Sequence, residues 1–183
     1  MSMHSTVVIY ESKYGFTKRY AQWLAKALAC PVFEKKRFQS QDFALYDTII
    51  YGGGLYAGGV SGIKLLTENY HALAEKHVIL FTCGLADPNV PENVEHIRQA
   101  LSTVLSADML EKIKIFHLRG GINYTKLSFL HKAMMAMLRK MLLKKDLTAL
   151  SSEDKELLET YGKFVDFTDE KSIGEIVEYA RAL

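Results

Sequence analysis

The sequence holds two cysteines, Cys30 and Cys83, and they stand far apart. So sparse a set builds neither a disulfide framework nor a cysteine-rich zinc site, and it points to a reducing compartment. Charge of one sign is missing too. The 23 Lys and Arg against 21 Asp and Glu leave a formal net charge of +2 over 183 residues, too small an excess to argue for nucleic acid as a partner. No apolar run approaches the roughly 18 residues of a membrane-spanning helix. No basic segment followed by an apolar one and a cleavage site opens the sequence, so a cytoplasmic location is expected. What is present describes a globular chain, with hydrophobic residues at 49% and charged residues at 24%.

The apolar residues alternate between two periods. TVVIY (6–10), DTIIYG (47–52), HVILFTC (77–83) and the run 113–118 ending in IFHL read as strands buried on both faces, with a weaker strand, PVFEKK, from Pro31. Residues 16–28, 62–74 and 92–106 have helical spacing, and IGEIVEYARAL reads as a terminal amphipathic helix. Strands alternating with helices predict a parallel sheet covered on both faces. Spacing alone does not give the strand order. Residues 120–163 are far more chain than a crossover needs. KFVDF (163–167) reads as a strand resuming after them. The expectation is one α/β domain over 1–183 with an insertion at about 120–163.

Open parallel sheets bind ligands at the carboxyl ends of their strands, and three stretches stand there. In the first, Glu11 to Thr17, hydroxyls and a glycine lie between a strand and a helix, as a phosphate cradle requires; a plain turn capped by Ser12 or Thr17 is the other reading. The second, YGGGLYAGGVSG (51–62), holds six of the twelve glycines and predicts a loop in close approach to a flat partner, with Tyr56 placed to stack on it. The third is TCGLADPNVPE (82–92), whose other reading is an ordinary strand-to-helix connection. No Gly-Lys-Ser/Thr ends either glycine-rich stretch, so a Walker A loop is excluded. Gly15 stands alone after the first strand, which excludes the G-x-G-x-x-G dinucleotide fingerprint. A phosphoacceptor receiver is excluded by a lone Glu11 and by Gly52 where an aspartate is needed.

VVIYESKYGFTK resembles the phosphate loop of the flavodoxin family, Ser/Thr-x-Thr/Ser-Gly-x-Thr. Ser12, Gly15 and Thr17 match it, and Tyr14 departs from it. ALYDTIIYGGGLYAG resembles that family's third strand and the loop packed on the flavin. IFHLRGGINY, the long insertion and KFVDFTDEKSIGEIVEYARAL resemble the branch containing the bacterial quinone-dependent protoporphyrinogen oxidase. The resemblance implies a flavodoxin-like three-layer α/β sandwich: a five-stranded parallel sheet of order 2-1-3-4-5, a helical insertion before the last helix, and FMN at the carboxyl edge. It implies a phosphate site at Ser12, Lys13, Tyr14, Gly15, Phe16 and Thr17. Gly53, Gly54, Leu55, Tyr56, Ala57 and Gly58 would line one side of the flavin ring, and Thr82, Cys83, Gly84, Leu85 and Asp87 the other. The implied function is an FMN oxidoreductase passing electrons from a small-molecule substrate to an acceptor such as a quinone. An electron carrier docking on a redox partner protein is the other class; such carriers are typically strongly acidic, and a charge of +2 argues against it. Cys83 and His117 read as structural residues of buried strands. No metal-ligand or Ser/His/Asp constellation stands out, so the chemistry would belong to the flavin.

The stretch TKLSFLHKAMMAMLRKMLLKKDL, from Thr125, carries Lys126, Lys132, Arg139, Lys140, Lys144 and Lys145 between 126 and 145, with no acid. As a helix it sets Leu127, Leu130, Met134, Met137, Leu138, Met141 and Leu142 on one face and Lys132, Arg139 and Lys140 on the other, leaving Phe129, Met135 and Leu143 off the stripe. The expectation is contact with a membrane surface or acidic partner, making a cytoplasmic protein peripheral to the membrane; packing of the stripe on the domain is the alternative.

Overall fold

The computed structural model describes residues 5–56 and 58–183. TVVIYE forms strand β1 (Thr6–Glu11), and helix α1 (Phe16–Leu28) returns to the short β2 (Val32–Glu34). Then follow β3 (Thr48–Tyr56), β4 (Gly59–Val60), two short helices α2 (Lys64–Thr67) and α3 (Tyr70–Leu73), and β5 (His77–Gly84). Helices α4 (Pro91–Ser102) and α5 (Ala107–Lys112) lead to β6 (Lys114–Arg119). Beyond it lie β7 (Gly121–Asn123), α6 (Phe129–Leu142), α7 (Ser152–Thr160), β8 (Phe164–Asp166) and the terminal α8 (Gly174–Ala182).

The main sheet runs β2-β1-β3-β5-β6, all parallel, with β4 added antiparallel to the end of β3. Without β4 this is the expected order 2-1-3-4-5. Both faces are buried, which is why the strands read as unbroken apolar runs. Val7, Ile9, Ile49, Tyr51 and Leu80 pack against α2 to α5 through Leu66, Leu73, Leu101 and Met109. On the opposite face Val8, Ile50, Ile79 and Phe81 meet Tyr20 and Leu24 of α1 and Ile176 of α8.

Four elements differ from the sequence expectation. The predicted helix over 62–74 is broken into α2 and α3 by a turn at Glu68 and Asn69, and that over 92–106 ends at Ser102. The glycine cluster does not begin a loop. Gly52, Gly53 and Gly54 stay in β3, in register with Phe81, Thr82 and Cys83 of β5. A Cβ on Gly52 would fall inside the Phe81 ring, and one on Gly53 would strike Val60. These glycines make room for neighbours; they do not supply flexibility. Lastly, the 163–167 strand does not rejoin the main sheet. As β8 it pairs antiparallel with β7, Ile122 opposite Val165, in a separate ribbon that forms the stem of the insertion. Among the described residues, no helix is long and apolar enough to cross a membrane.

Candidate functional site

At the carboxyl ends of β1, β3 and β5 lies a cavity of about 380 Å³, roofed by α6 and α7. Volumes of this size hold small molecules and cofactors.

The first loop builds its polar end. Gly15 begins α1 with φ +97°, a left-handed conformation that a β-branched residue does not adopt without strain. Its N–H donates to Ser12 Oγ at 3.1 Å, so the serine hydroxyl shapes the loop. No side chain caps the helix. The first-turn N–H groups of Phe16, Thr17 and Lys18 therefore keep the orphan donors and positive dipole of a helix start, an arrangement that suits an anion. Thr17 is 2% exposed, and its hydroxyl bonds the Cys83 thiol. Burial pushes that thiol up to about 12, so Cys83 stays protonated and is no thiolate nucleophile.

From the first loop Tyr14, Phe16 and Thr17 line the cavity; from the second, Leu55, Tyr56 and Gly58; from the third, Cys83, Gly84 and Leu85. Ser12, Lys13, Gly15, Gly53, Gly54, Thr82 and Asp87 do not line it. Gly53, Gly54 and Thr82 are strand residues; the Thr82 hydroxyl is 2.7 Å from His117 Nδ1 on the neighbouring strand. Asp87 is engaged by Asn89 and Arg119. Ala57, expected to line the ring site, lies outside the described residues.

Tyr56 is folded across Gly54, where an added Cβ would sit 2.8 Å from its ring. Its hydroxyl faces the backbone N–H groups of Lys13 and Tyr14; burial still pushes its pKa up to about 12. A protein oxygen thus stands before two backbone donors of the first loop.

Several site residues were not singled out from the sequence. Tyr14 Oη is 2.6 Å from Nδ1 of His131 on α6, and the Ser128 N–H donates to the same phenol at 3.4 Å. Tyr14, Tyr56 and His131 form a ring cluster with centroids 5.6 to 5.7 Å apart. Burial, with Lys13, holds His131 below the ordinary histidine range. Arg119, at the end of β6, donates to the Leu85 carbonyl and pairs with Asp87 and with Glu156 of α7, while its guanidinium lies 3.8 Å from the Phe167 ring centre. Asn93, at the start of α4, is 2% exposed, and its Oδ1 has no hydrogen-bond partner among the described residues. Of these, Tyr14 and Tyr56 were expected from the sequence, whereas His131, Arg119 and Asn93 were not. The roof is mostly apolar, with Leu127 just before α6, Met134, Met135 and Leu138 on α6 and Leu157 on α7; His131, Glu153 and Glu156 are its polar members. Among the described residues no cluster of His, Cys, Asp and Glu fits a metal ion.

A family model described as a flavodoxin domain matches residues 7–149. No curated protein matches the chain. A flavodoxin from the domain Archaea is 14% identical at a TM-score of 0.41, with 95% of this chain and 99% of that one covered. A flavoprotein in complex with FMN from Lactobacillus acidophilus is 17% identical at a TM-score of 0.40, covering 63% of this chain and 92% of its own. An oxidised flavodoxin from Bacillus cereus is 16% identical at 0.38, with 63% and 84% covered. With most of its sheet and all three strand-end loops inside the matched span, the chain belongs to the flavodoxin-domain family.

Proposed function

We propose that this chain binds FMN across the three strand-end loops and acts as an oxidoreductase. In this reading it takes electrons from an apolar small molecule and passes them to an acceptor such as a quinone, as its resemblance to the protoporphyrinogen oxidase branch suggests. The observation that carries the reading is the make-up of the cavity, a set of backbone donors at one end and mostly apolar walls elsewhere, roofed by a helical insertion.

The residues present fit the cofactor. A terminal phosphate suits the uncapped start of α1, and the Tyr56 hydroxyl, which now faces the Lys13 and Tyr14 N–H groups, would yield to it. Leu55 and Tyr56 on one side and Gly84 and Leu85 on the other would hold the ring. The buried Asn93 Oδ1 is an acceptor for an N–H of the ring or of a substrate. Bound FMN would supply the electron transfer itself. Arg119 fixes the third loop through the Leu85 carbonyl and Asp87. The Tyr14 hydroxyl is held between the Ser128 N–H and His131 Nδ1, which ties the first loop to α6. α6 and α7 exclude water from the apolar part of the cavity. A carrier needs its ring edge open to a partner protein, and this roof together with a net charge of +2 favours the enzyme over the carrier.

The test is the absorption spectrum of the purified protein and the mass of any chromophore released on denaturation. The expected result is a yellow protein releasing FMN. A colourless protein that fails to bind added FMN overturns the reading.

A further inference from the structure

Helix α6 has two unlike faces, and only one is covered. His131, Met134, Met135 and Leu138 face the cavity, with Leu127 just before the helix. On the other side Phe129 is 90% exposed, Leu130 66%, Met137 62% and Met141 56%, with Leu143 just beyond the helix at 60%. The stripe expected from the sequence is thus split. Leu130, Met137 and Met141 point outward, and Met135, expected off the stripe, points inward. The helix walls a cavity instead of lying on a flat core, so its wide apolar arc is only half used.

The cations are similarly divided. Arg139 lies 4.8 Å from the Tyr161 ring centre, and Lys145 is 3.3 Å from Asp154. Lys126, Lys132, Lys140 and Lys144 have no ion-pair partner among the described residues, and no acid lies between 126 and 145 to mask them.

This pairing of features discriminates between occupants. An acidic protein would answer the lysines but not a fully exposed phenylalanine. A second copy would set lysines against lysines. A neutral lipid surface would answer the apolar side chains but leave the charge without a role. An anionic bilayer answers both, with apolar side chains at the acyl boundary and cations at the headgroups. We propose that the outer face of α6 docks this protein on an anionic membrane surface, with Phe129, Leu130, Met137 and Met141 seated among the lipids. The cavity then lies one helix diameter, about 10 Å, from the bilayer, where an apolar ligand dissolved in lipid is concentrated. Docking itself needs no bound cofactor, so it stands or falls apart from the FMN reading.

The test is co-sedimentation of the full chain with phosphatidylserine–phosphatidylcholine vesicles and with phosphatidylcholine alone. Two variants are compared with the wild type: Lys132→Glu/Lys140→Glu/Lys144→Glu, and Phe129→Ser/Met137→Ser. All five positions are exposed, and unchanged circular dichroism and melting temperature establish that the variants fold. Wild type should bind the anionic vesicles at least about tenfold more tightly than the neutral ones. Charge reversal should lower that partition by about a hundredfold or more, and the apolar variant by about tenfold at low and high salt alike. The proposal is overturned by absence of binding to anionic vesicles, by equal binding to neutral ones, or by binding indifferent to both variants. It is also overturned by a dimer in solution that Phe129→Ser/Met137→Ser abolishes, which would make the face a self-association surface.

Discussion

The two walls of the cavity are made by different means. On the sheet side it is the uncapped start of α1 with its Thr17, and the strand-end residues Leu55, Tyr56 and Cys83, held from beneath by a core in which the β3 glycines pack on Phe81 and Val60. On the insertion side the wall is apolar side chains on a helix whose outer face is bare, tied down by polar contacts at Tyr14–His131 and Arg119–Glu156 and by the β7–β8 stem. Backbone donors such as those at the start of α1 suit a constant chemical group, and side-chain substitution tunes them little. A wall made of exposed helix tolerates substitution and movement. Under the proposed function the contrast would set the fixed end of the ligand at the sheet and its variable end at the insertion.

Three measurements test that division. The largest effect is expected for Gly15→Val, which puts a β-branched residue at φ +97° and disturbs the amide donors behind it. FMN affinity should fall at least a hundredfold, about 3 kcal/mol, as two bonds to charged oxygen weaken, while riboflavin should change by less than about fivefold. Titration of the variant with each ligand decides it; equal losses would mean that the loop does not read the phosphate. Next comes Arg119→Ala, which leaves Asp87 and Glu156 facing each other without their cation. All three side chains are 20% to 29% exposed, so the cost is nearer about 2 kcal/mol than that of a fully buried pair, a fall of about 4–8 °C in melting temperature. Limited proteolysis should quicken between α6 and α7 while the FMN-to-riboflavin preference holds. A lost preference would show the walls to be coupled.

The smallest effect is a pH dependence confined to the sheet. Burial, with Arg98, holds His117 down to about 4 against an ordinary 6.5. Because the folded value is lowered, the unfolded chain takes the proton first as pH falls. The contribution is complete above about 6.5 and is lost between about 6.5 and about 4, amounting to about 1–2 kcal/mol for a group only part-buried. Denaturant midpoints across that range measure it. His117→Asn, which does not titrate, should flatten the acid limb; a limb of unchanged slope assigns it to another group.

Much of the sheet was legible in the sequence because a strand buried on both faces leaves an unbroken apolar run, as in TVVIY and HVILFTC. Strand order was accessible through family resemblance, since spacing carries no information about lateral neighbours. The glycines of β3 misled because glycine signals both freedom and tight packing, and only the position of Phe81 tells them apart. The roof was read in type but not in orientation: a helix with an apolar arc as wide as that of α6 has several faces that can turn inward, and the cavity decides which. Arg119 and His131 carried no local signal, because each acts on loops distant in sequence.

The stem of the insertion bears on how this chain comes together. The Phe167 N–H donates to the Gly120 carbonyl at 2.9 Å, so the insertion departs and returns through a gap spanned by a single bond. Because the entropy of closing a loop rises only slowly with its length, the added chain is expected to burden assembly of the parallel sheet little. The expectation is that the insertion folds late, on a body that forms without it. A chain shortened by joining Gly120 directly to Phe167 should still reach the same sheet, lacking only its roof.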